Sequence, residues 1–409
     1  MKIRNLTLSN YRAFQGVRTF SFGSQFTAVA GINGRGKTAI LDGLALLLSL
    51  FLKDLGVSKD TSRTMKQSEL HGRAKNSTLS MNLNCANIPL TYGTAYSSRS
   101  RSGLKIKHLS PALRRQLVLA YEDPKREDDQ APFAVYYTTD RAGYRLPRAI
   151  PRILPGMRWQ ANTGALRDRM VDYKELIARY RVWKRERRSN TVEAFDTALQ
   201  TFLEEFGTVE VTTKPPWLRI RKKTNRLDPT QLSDGERSFL AMVGDLIRRL
   251  SLAHPELENP LLGAGVVLID ELELHLHPKW QREVVDKLRK TFPHIQFITT
   301  THSPFINQSL QPGELINLDP EEFGEYADKS VEDIAENVMG VHLPQKSERY
   351  LQLMTAAEEY FRLLRLRDAD KADIDAAEQR LNELSVPFSD DPAFQALLKL
   401  EREMQENRR

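Results

Sequence analysis

Of 409 residues only one is a cysteine, Cys85, so no intrachain disulfide can form and a reducing compartment is expected. Long hydrophobic runs are missing too. The longest, Leu44 to Leu52, falls well short of the roughly 20 residues a membrane-crossing helix needs. It follows a glycine-rich loop and reads as a buried helix. The opening Met1-Lys2-Ile3-Arg4-Asn5-Leu6 is strand-like rather than a leader, so a soluble, cytoplasmic chain with no membrane partner is expected. There is no internal repeat and no long low-complexity tract. The length suits one large domain with insertions and an appendage, or two to three small domains.

Charge is present but uneven. The net value is +7. Residues 141–190 hold 14 Lys+Arg against 4 Asp+Glu, whereas residues 319–409 hold 12 against 22. The first stretch is a candidate surface for DNA or another anionic partner, the second for a basic one. The basic stretch is as readily a solvated helix face, and for the acidic stretch the solvated face is the preferred reading.

The hydropathy pattern alternates over residues 1–30, with Phe26-Thr27-Ala28-Val29-Ala30 running into the glycine loop. A strongly apolar helix follows from Thr38 to Leu52, and polar residues 53–75 are expected to continue as helix. Antiparallel strands are expected at Leu79 to Leu83 and over Thr91 to His108, and a further strand at Pro132 to Thr138. Pro147, Pro151 and Pro155 mark an irregular connection. Two or three helices are expected over Leu166 to Phe206, and a hairpin from Val209–Val211 and Trp217–Ile220. Val266-Val267-Leu268-Ile269 and Ile295 to Thr299 are near-continuous β-branched runs, as in buried parallel strands, joined by a helix from Lys279 to Thr291. Beyond Asp319 the spacing of Tyr350, Leu353, Met354, Ala357, Phe361 and Leu364 is helical.

Four motifs stand in order on this frame. Gly31-Ile32-Asn33-Gly34-Arg35-Gly36-Lys37-Thr38 matches the P-loop G-x-x-x-x-G-K-S/T between a strand and a helix. Its backbone N–H groups, including those of Asn33, Gly34 and Gly36, can cradle the phosphates of ATP. Lys37 can reach the β- and γ-phosphates, and Thr38 can hold Mg²⁺. Asp270 ends one parallel strand and is the second candidate Mg²⁺ ligand, while Glu271 is the candidate general base. His302 ends the next strand, where it can meet the γ-phosphate or the attacking water. Leu232-Ser233-Asp234-Gly235-Glu236 opens a helix whose N-terminal dipole, with Ser233 and the Gly235 backbone, can read a phosphate. Lys37 already serves the local phosphate, so this segment is expected to face the ATP of a second copy in a two-fold sandwich.

Two other patterns are set aside. His275-Leu276-His277 has a metal-like spacing but no nearby Cys or carboxylate framework for zinc, and is read as loop. Asp368-Ala369-Asp370 has the D-x-D form of a Toprim nuclease but no strand before it.

The four motifs, with the opening Leu8-Ser9-Asn10-Tyr11-Arg12-Ala13-Phe14, resemble the Rad50/RecF/OLD branch of ABC-type ATPases. The segments from Leu268 to Gln281 and from Thr301 to Pro304 look very like the ATPase subunits of Septu-type and retron-associated anti-phage defence. The resemblance implies an α/β fold: an ABC-type P-loop ATPase head with an antiparallel β subdomain, a helical insert (lobe II) and a C-terminal helical extension. The expected boundaries are 1–140 for lobe I, 141–230 for the insert and hairpin, 231–318 for the signature, Walker B and switch-His part, and 319–409 for the extension. It implies that Arg12 contacts the α-phosphate and that Asp140 or Arg141 stands where a Q-loop would. It also implies a slow ATPase that dimerises or oligomerises through ATP and governs a separate HNH-type endonuclease. The alternative is a DNA-repair ATPase acting directly on DNA through residues 141–190; a transporter subunit fits the motifs poorly.

Overall fold

The computed structural model describes residues 1–60, 62–99, 103–122, 131–142, 157–167, 171, 173–186, 189–203, 206–212, 217–319, 330–337, 348–365 and 370–385. In chain order the elements are β1 (Lys2–Tyr11), β2 (Phe14–Ser21), β3 (Phe26–Ala30), α1 (Lys37–Leu55), β4 (Asn76–Cys85), β5 (Ile88–Ser97), β6 (Leu104–Lys107), α2 (Pro111–Glu122), β7 (Ala134–Tyr137), α3 (Tyr173–Arg185), α4 (Ser189–Phe202) and β8 (Phe206–Val211). Then come β9 (Leu218–Lys222), β10 (Asn225–Leu227), α5 (Asp234–Ala253), β11 (Gly265–Ile269), α6 (Pro278–Thr291), β12 (Ile295–Thr300), α7 (Pro304–Gln308), β13 (Leu315–Asn317), α8 (Val331–Asn337), α9 (Glu348–Arg365) and α10 (Lys371–Ser385). Met1–Gly340 is one compact unit and Val341–Arg409 another. Among the described residues no helix is long and apolar enough to cross a membrane.

The first unit is an α/β fold built on three sheets. The central one is parallel, in the order β13-β3-β12-β11-β7. Its inner strands are buried on both faces, which is why they read as unbroken apolar runs. Strand alternation divides them between two cores. Val29, Tyr136, Val266, Leu268 and Ile298 pack with α1 and with the antiparallel sheet β2-β1-β4-β5-β6. Ala28, Val135, Val267, Ile269 and Phe297 pack with residues of α3, α4, α5 and α6. Helix α1 is buried almost all round, so truncating a leucine such as Leu44 to alanine costs about 2–5 kcal/mol. The third sheet, β10-β9-β8, lies between α4 and α5 in the chain.

One expected element is corrected. Residues 53–75 do not continue as helix: α1 stops at Leu55 because Gly56 takes the left-handed conformation (φ 87°) and its N–H turns back to the carbonyls of Leu52 and Lys53. Only a short 3₁₀ turn at Gln67–Glu69 follows. The antiparallel pair expected after it is present as β4, β5 and β6, and the hairpin gains a third strand, β10. Helices α2 and α7 and strand β13 had no counterpart in the sequence reading. Pro147, Pro151, Pro155, Asp368 and Ala369 lie outside the described residues, as do parts of 141–190 and of 319–409.

In the second unit, α9 and α10 share a small apolar core of Leu353, Ala356, Ala357, Tyr360 and Leu381. The helical spacing read for α9 is its inward face.

Candidate nucleotide site

The P-loop lies at the carboxyl end of β3, and its neighbour β12 and the next strand β11 end beside it. The three strand-end motifs therefore share one edge of the parallel sheet, the edge where open α/β sheets hold ligands. Gly31, Gly34 and Gly36 have φ of 145°, 85° and 99°, a region open to glycine and costly for other residues. A Cβ on Gly36 would press into Ala13 and Phe14, so the opening Tyr-Arg-Ala-Phe segment buttresses the loop. Helix α1 starts with no side-chain cap and no acid in its first turn, which leaves its N–H groups and dipole for an anion. Ile32, Asn33, Gly34 and Arg35 are exposed on the lip, whereas Lys37 is buried.

The Lys37 ammonium donates to the carbonyls of Gly31 (2.6 Å) and Ile32 (3.1 Å). Burial pulls its pKa below the ordinary lysine value, against the attraction of Asp319, Glu273 and Asp270. Asp319, just past β13, clips the loop from outside. Its carboxylate accepts from the Ile32 N–H (2.9 Å) and from Arg35 Nε (3.0 Å). The sequence reading placed Asp319 only at the head of an acidic extension; nothing in its local sequence marks a P-loop contact.

Thr38 Oγ1 lies 3.3 and 3.2 Å from the two carboxylate oxygens of Asp270. The two groups expected to share a divalent cation are thus already in contact. Burial pushes the Asp270 carboxyl above the ordinary range, opposed by hydrogen bonds from Thr300 and Thr38. A hydroxyl and a buried carboxylate with raised pKa form a hard oxygen pair of the kind that suits Mg²⁺. Thr300 is the hub that sequence reasoning missed. Its hydroxyl donates to Asp270 Oδ1 (2.5 Å) and accepts the Glu271 N–H (2.8 Å). Glu271 itself is half-buried with φ 49°, a turn that ends the strand direction and carries its side chain off the sheet edge.

His302 is half-buried, and its N–H is held by Glu273 Oε1. Ser303 caps α7 and donates to Gln281 Oε1 (2.6 Å), which fixes the turn after β12 to α6. Arg141 is buried beneath this group. Its guanidinium donates to the backbone carbonyls of Asp270 and Glu271 and to that of Thr138 (3.2 Å). Burial lowers it to about 10, which leaves it cationic at neutral pH. Arg141 thus braces the strand end from behind, while Asp140 is exposed.

Arg12 does not extend freely. It pairs with Asp42 and with Glu69, to which Nε donates at 3.2 Å, and Arg63 holds the other Asp42 oxygen at 3.0 Å. The signature opens α5 with a capping box. Ser233 Oγ accepts from the Glu236 N–H (3.3 Å), and Glu236 Oε2 accepts from both the Ser233 N–H and its hydroxyl (2.9 Å each). Lys222 of β9 holds the other Glu236 oxygen at 2.7 Å. Burial opposes ionisation of Glu236, but these donors outweigh it and hold its pKa below the ordinary carboxylate value. A Cβ on Gly235 would collide with the His275 carbonyl, so only glycine lets the two loops meet. His275 (φ 64°) gives this loop its shape, and His277 caps α6 by accepting from the Lys279 N–H (3.3 Å). The His277 ring of the metal-like pair is thus engaged with backbone.

Residues 98–306, just over half of the chain, match the family described as "AAA domain, putative AbiEii toxin, Type IV TA system". The chain belongs to this family. Residues 5–177 match a second family, described as "AAA domain". Among named proteins, the chain is similar to the "Retron Ec83 probable ATPase" of Escherichia coli, 46% identical over 116 residues, covering 28% of this chain and 21% of that one. It is similar to the "Septu protein PtuA" of Bacillus thuringiensis, 36% identical over 106 residues, covering 23% and 26%. These matches span only about a fifth to a quarter of the length of those relatives. Among solved structures, the "SMC head domain from Thermotoga maritima" aligns with a TM-score of 0.41 at 15% identity, over 77% of this chain and 94% of that one. The AAA-domain matches and the strand-edge geometry thus fall on the same part of the chain.

Proposed function

We propose that the chain binds ATP with Mg²⁺ and hydrolyses it slowly between two head-to-head copies. In this reading residues 1–140 and 231–318 form the head, 141–230 the insert and 319–409 the extension. The observation that carries it is the contact between Thr38 and the Asp270 carboxylate, with Glu271 and His302 on the same sheet edge. Mg²⁺, when bound, supplies charge neutralisation for the phosphates. Thr38 and Asp270 would hold it, and Lys37 would swing from the loop carbonyls to the β- and γ-phosphates. Glu271 would take the proton of the attacking water, while His302 would orient it or contact the γ-phosphate. Arg12 would turn from Asp42 and Glu69 to the α-phosphate. Ser233, Gly235 and Glu236 would meet the ATP of the partner copy.

The switch would act on something outside the chain. The relatives named as retron and Septu proteins support a role in anti-phage defence, as a sensor and scaffold that governs a separate HNH-type DNA endonuclease in the cytoplasm. Two experiments test the two halves. Glu271→Gln is expected to retain ATP and shift the chain to a dimer in light scattering; a variant that turns ATP over at the normal rate refutes the base. A tagged chain recovered from its host with neighbouring genes intact, with and without ATP, is expected to bring down an HNH-type nuclease; recovery of the ATPase alone refutes the scaffold.

A further inference from the structure

The segment Leu218–Leu227 carries Arg219, Arg221, Lys222, Lys223 and Arg226 and no acidic residue. It folds as the β9–β10 hairpin. Leu218 and Ile220 are buried, so strand alternation sends Arg219 and Arg221 to the opposite, outer face. The register then places Arg226 directly across from Arg221. Like charges in that arrangement destabilise a sheet. Lys223 sits in the turn at φ 53°, a conformation that glycine or asparagine adopts at less cost. On the far side of β9, Gly207 sets no side chain beside the stem of Arg221. The local sequence thus keeps cations where neutral residues would fold better.

Asp228 pairs with Arg219 at 2.8 Å, and Glu210 comes within 3.8 Å of the exposed Arg226. Arg221, Lys223, Thr224, Asn225 and Arg226 are all exposed. None is apolar or aromatic, so the turn has no anchor of the kind that protein interfaces bury. A phosphate backbone needs no such anchor, only a row of cations. Lys222 points the other way and fastens the hairpin to Glu236 at the head of α5.

We propose that the outer face of this hairpin, centred on Arg221 and Arg226, binds the phosphate backbone of duplex nucleic acid. The segment lies outside residues 141–190 in the chain, and the proposal stands whether or not the ATPase reading does. The test uses the full chain without nucleotide and a labelled random-sequence DNA duplex, followed by fluorescence anisotropy across a salt series. Replacing Arg221 and Arg226 together by serine should weaken binding about tenfold or more, and should lower the slope of log Kd against log salt by roughly 2, about 0.9 per lost phosphate contact. Replacing both by lysine should keep the slope. Fluorescent-nucleotide binding by the same variants reads the ATP site separately and should match the parent chain. Failure of the parent chain to bind the duplex, an unchanged slope in the serine variant, or polyglutamate displacing the duplex as well as unlabelled DNA does would each overturn the assignment.

Discussion

Thr300→Val isolates the hub beneath the candidate metal ligand. The side chain is fully buried, and valine keeps its shape and its preference for a strand. What is lost is one hydroxyl, which donates to Asp270 Oδ1 at 2.5 Å and accepts the Glu271 N–H at 2.8 Å. A hydrogen bond to a charged group contributes about 1.5–3 kcal/mol, and an orphaned buried N–H costs about 1–3 kcal/mol. Protonation of Asp270 absorbs part of that, because burial already raises its pKa and the Thr300 donor opposes the rise. A net loss of about 3 kcal/mol in chemical denaturation at neutral pH is expected. The sign for pH follows from the raised folded pKa. Ionising Asp270 costs stability as pH climbs through its unfolded value, and a divalent cation relieves that cost. Without the hydroxyl, the Mg²⁺ concentration needed for half-maximal ATP hydrolysis should rise, and more at about pH 6 than at about pH 8. Thr300→Ser restores the hydroxyl, should recover the Mg²⁺ dependence, and should lose only the roughly 0.8 kcal/mol of one buried methyl group. Equal Mg²⁺ requirements in the valine and serine variants, or a valine variant as stable as the parent, would refute the reasoning.

Three further outcomes are expected. Arg141→Lys keeps a cation but cannot fork to the carbonyls of Asp270 and Glu271; kcat should fall about tenfold, near 1.4 kcal/mol, with nucleotide affinity little changed in titration calorimetry. Asp319→Asn keeps an acceptor for the Ile32 N–H but removes a negative charge beside the phosphate loop; ATP should bind a few-fold more tightly at low salt, and the gain should fade as salt screens it. His254 is buried, its Nε2 lies 3.0 Å from the Ala264 carbonyl oxygen, and burial lowers its pKa to about 4. The unfolded chain then binds the extra proton between that value and about 6.5, so stability falls with pH across this window by about 3 kcal/mol, and His254→Leu should flatten that portion of a denaturation-versus-pH profile.

Much of this site could be read from the sequence because its parts are local. A P-loop needs glycines at fixed offsets, and the parallel strands must be apolar on both faces, so Gly31 to Thr38 and Val266 to Asp270 announce themselves. What stayed hidden depends on distant residues. Asp319 reaches Ile32 across the chain because β13 pairs with β3, and a three-residue strand has no periodicity to detect. Thr300 looks like any strand-end threonine until β12 is placed beside β11. Arg141 stood out for its position, but its work on the carbonyls of Asp270 and Glu271 follows from burial, which sequence does not show. The helix expected over 53–75 failed for the opposite reason, since the left-handed cap at Gly56 overrode the polar pattern.

The signature is self-satisfied in a single copy, and this bears on how a dimer would form. Ser233 Oγ donates to Glu236 while accepting from the Glu236 N–H, and Lys222 neutralises the same carboxylate. Moving that hydroxyl to a partner's phosphate exchanges one anionic acceptor for another, so the swap is nearly neutral in hydrogen bonds. The gain must come from the helix dipole and from the phosphate charge, both of which weaken in salt. Glu236 keeps its N–H cap and its lysine throughout, so the signature backbone need not rearrange. If the proposed two-copy sandwich forms, it would therefore depend on ATP and weaken with ionic strength, and the signature would be released by a single hydroxyl rotation.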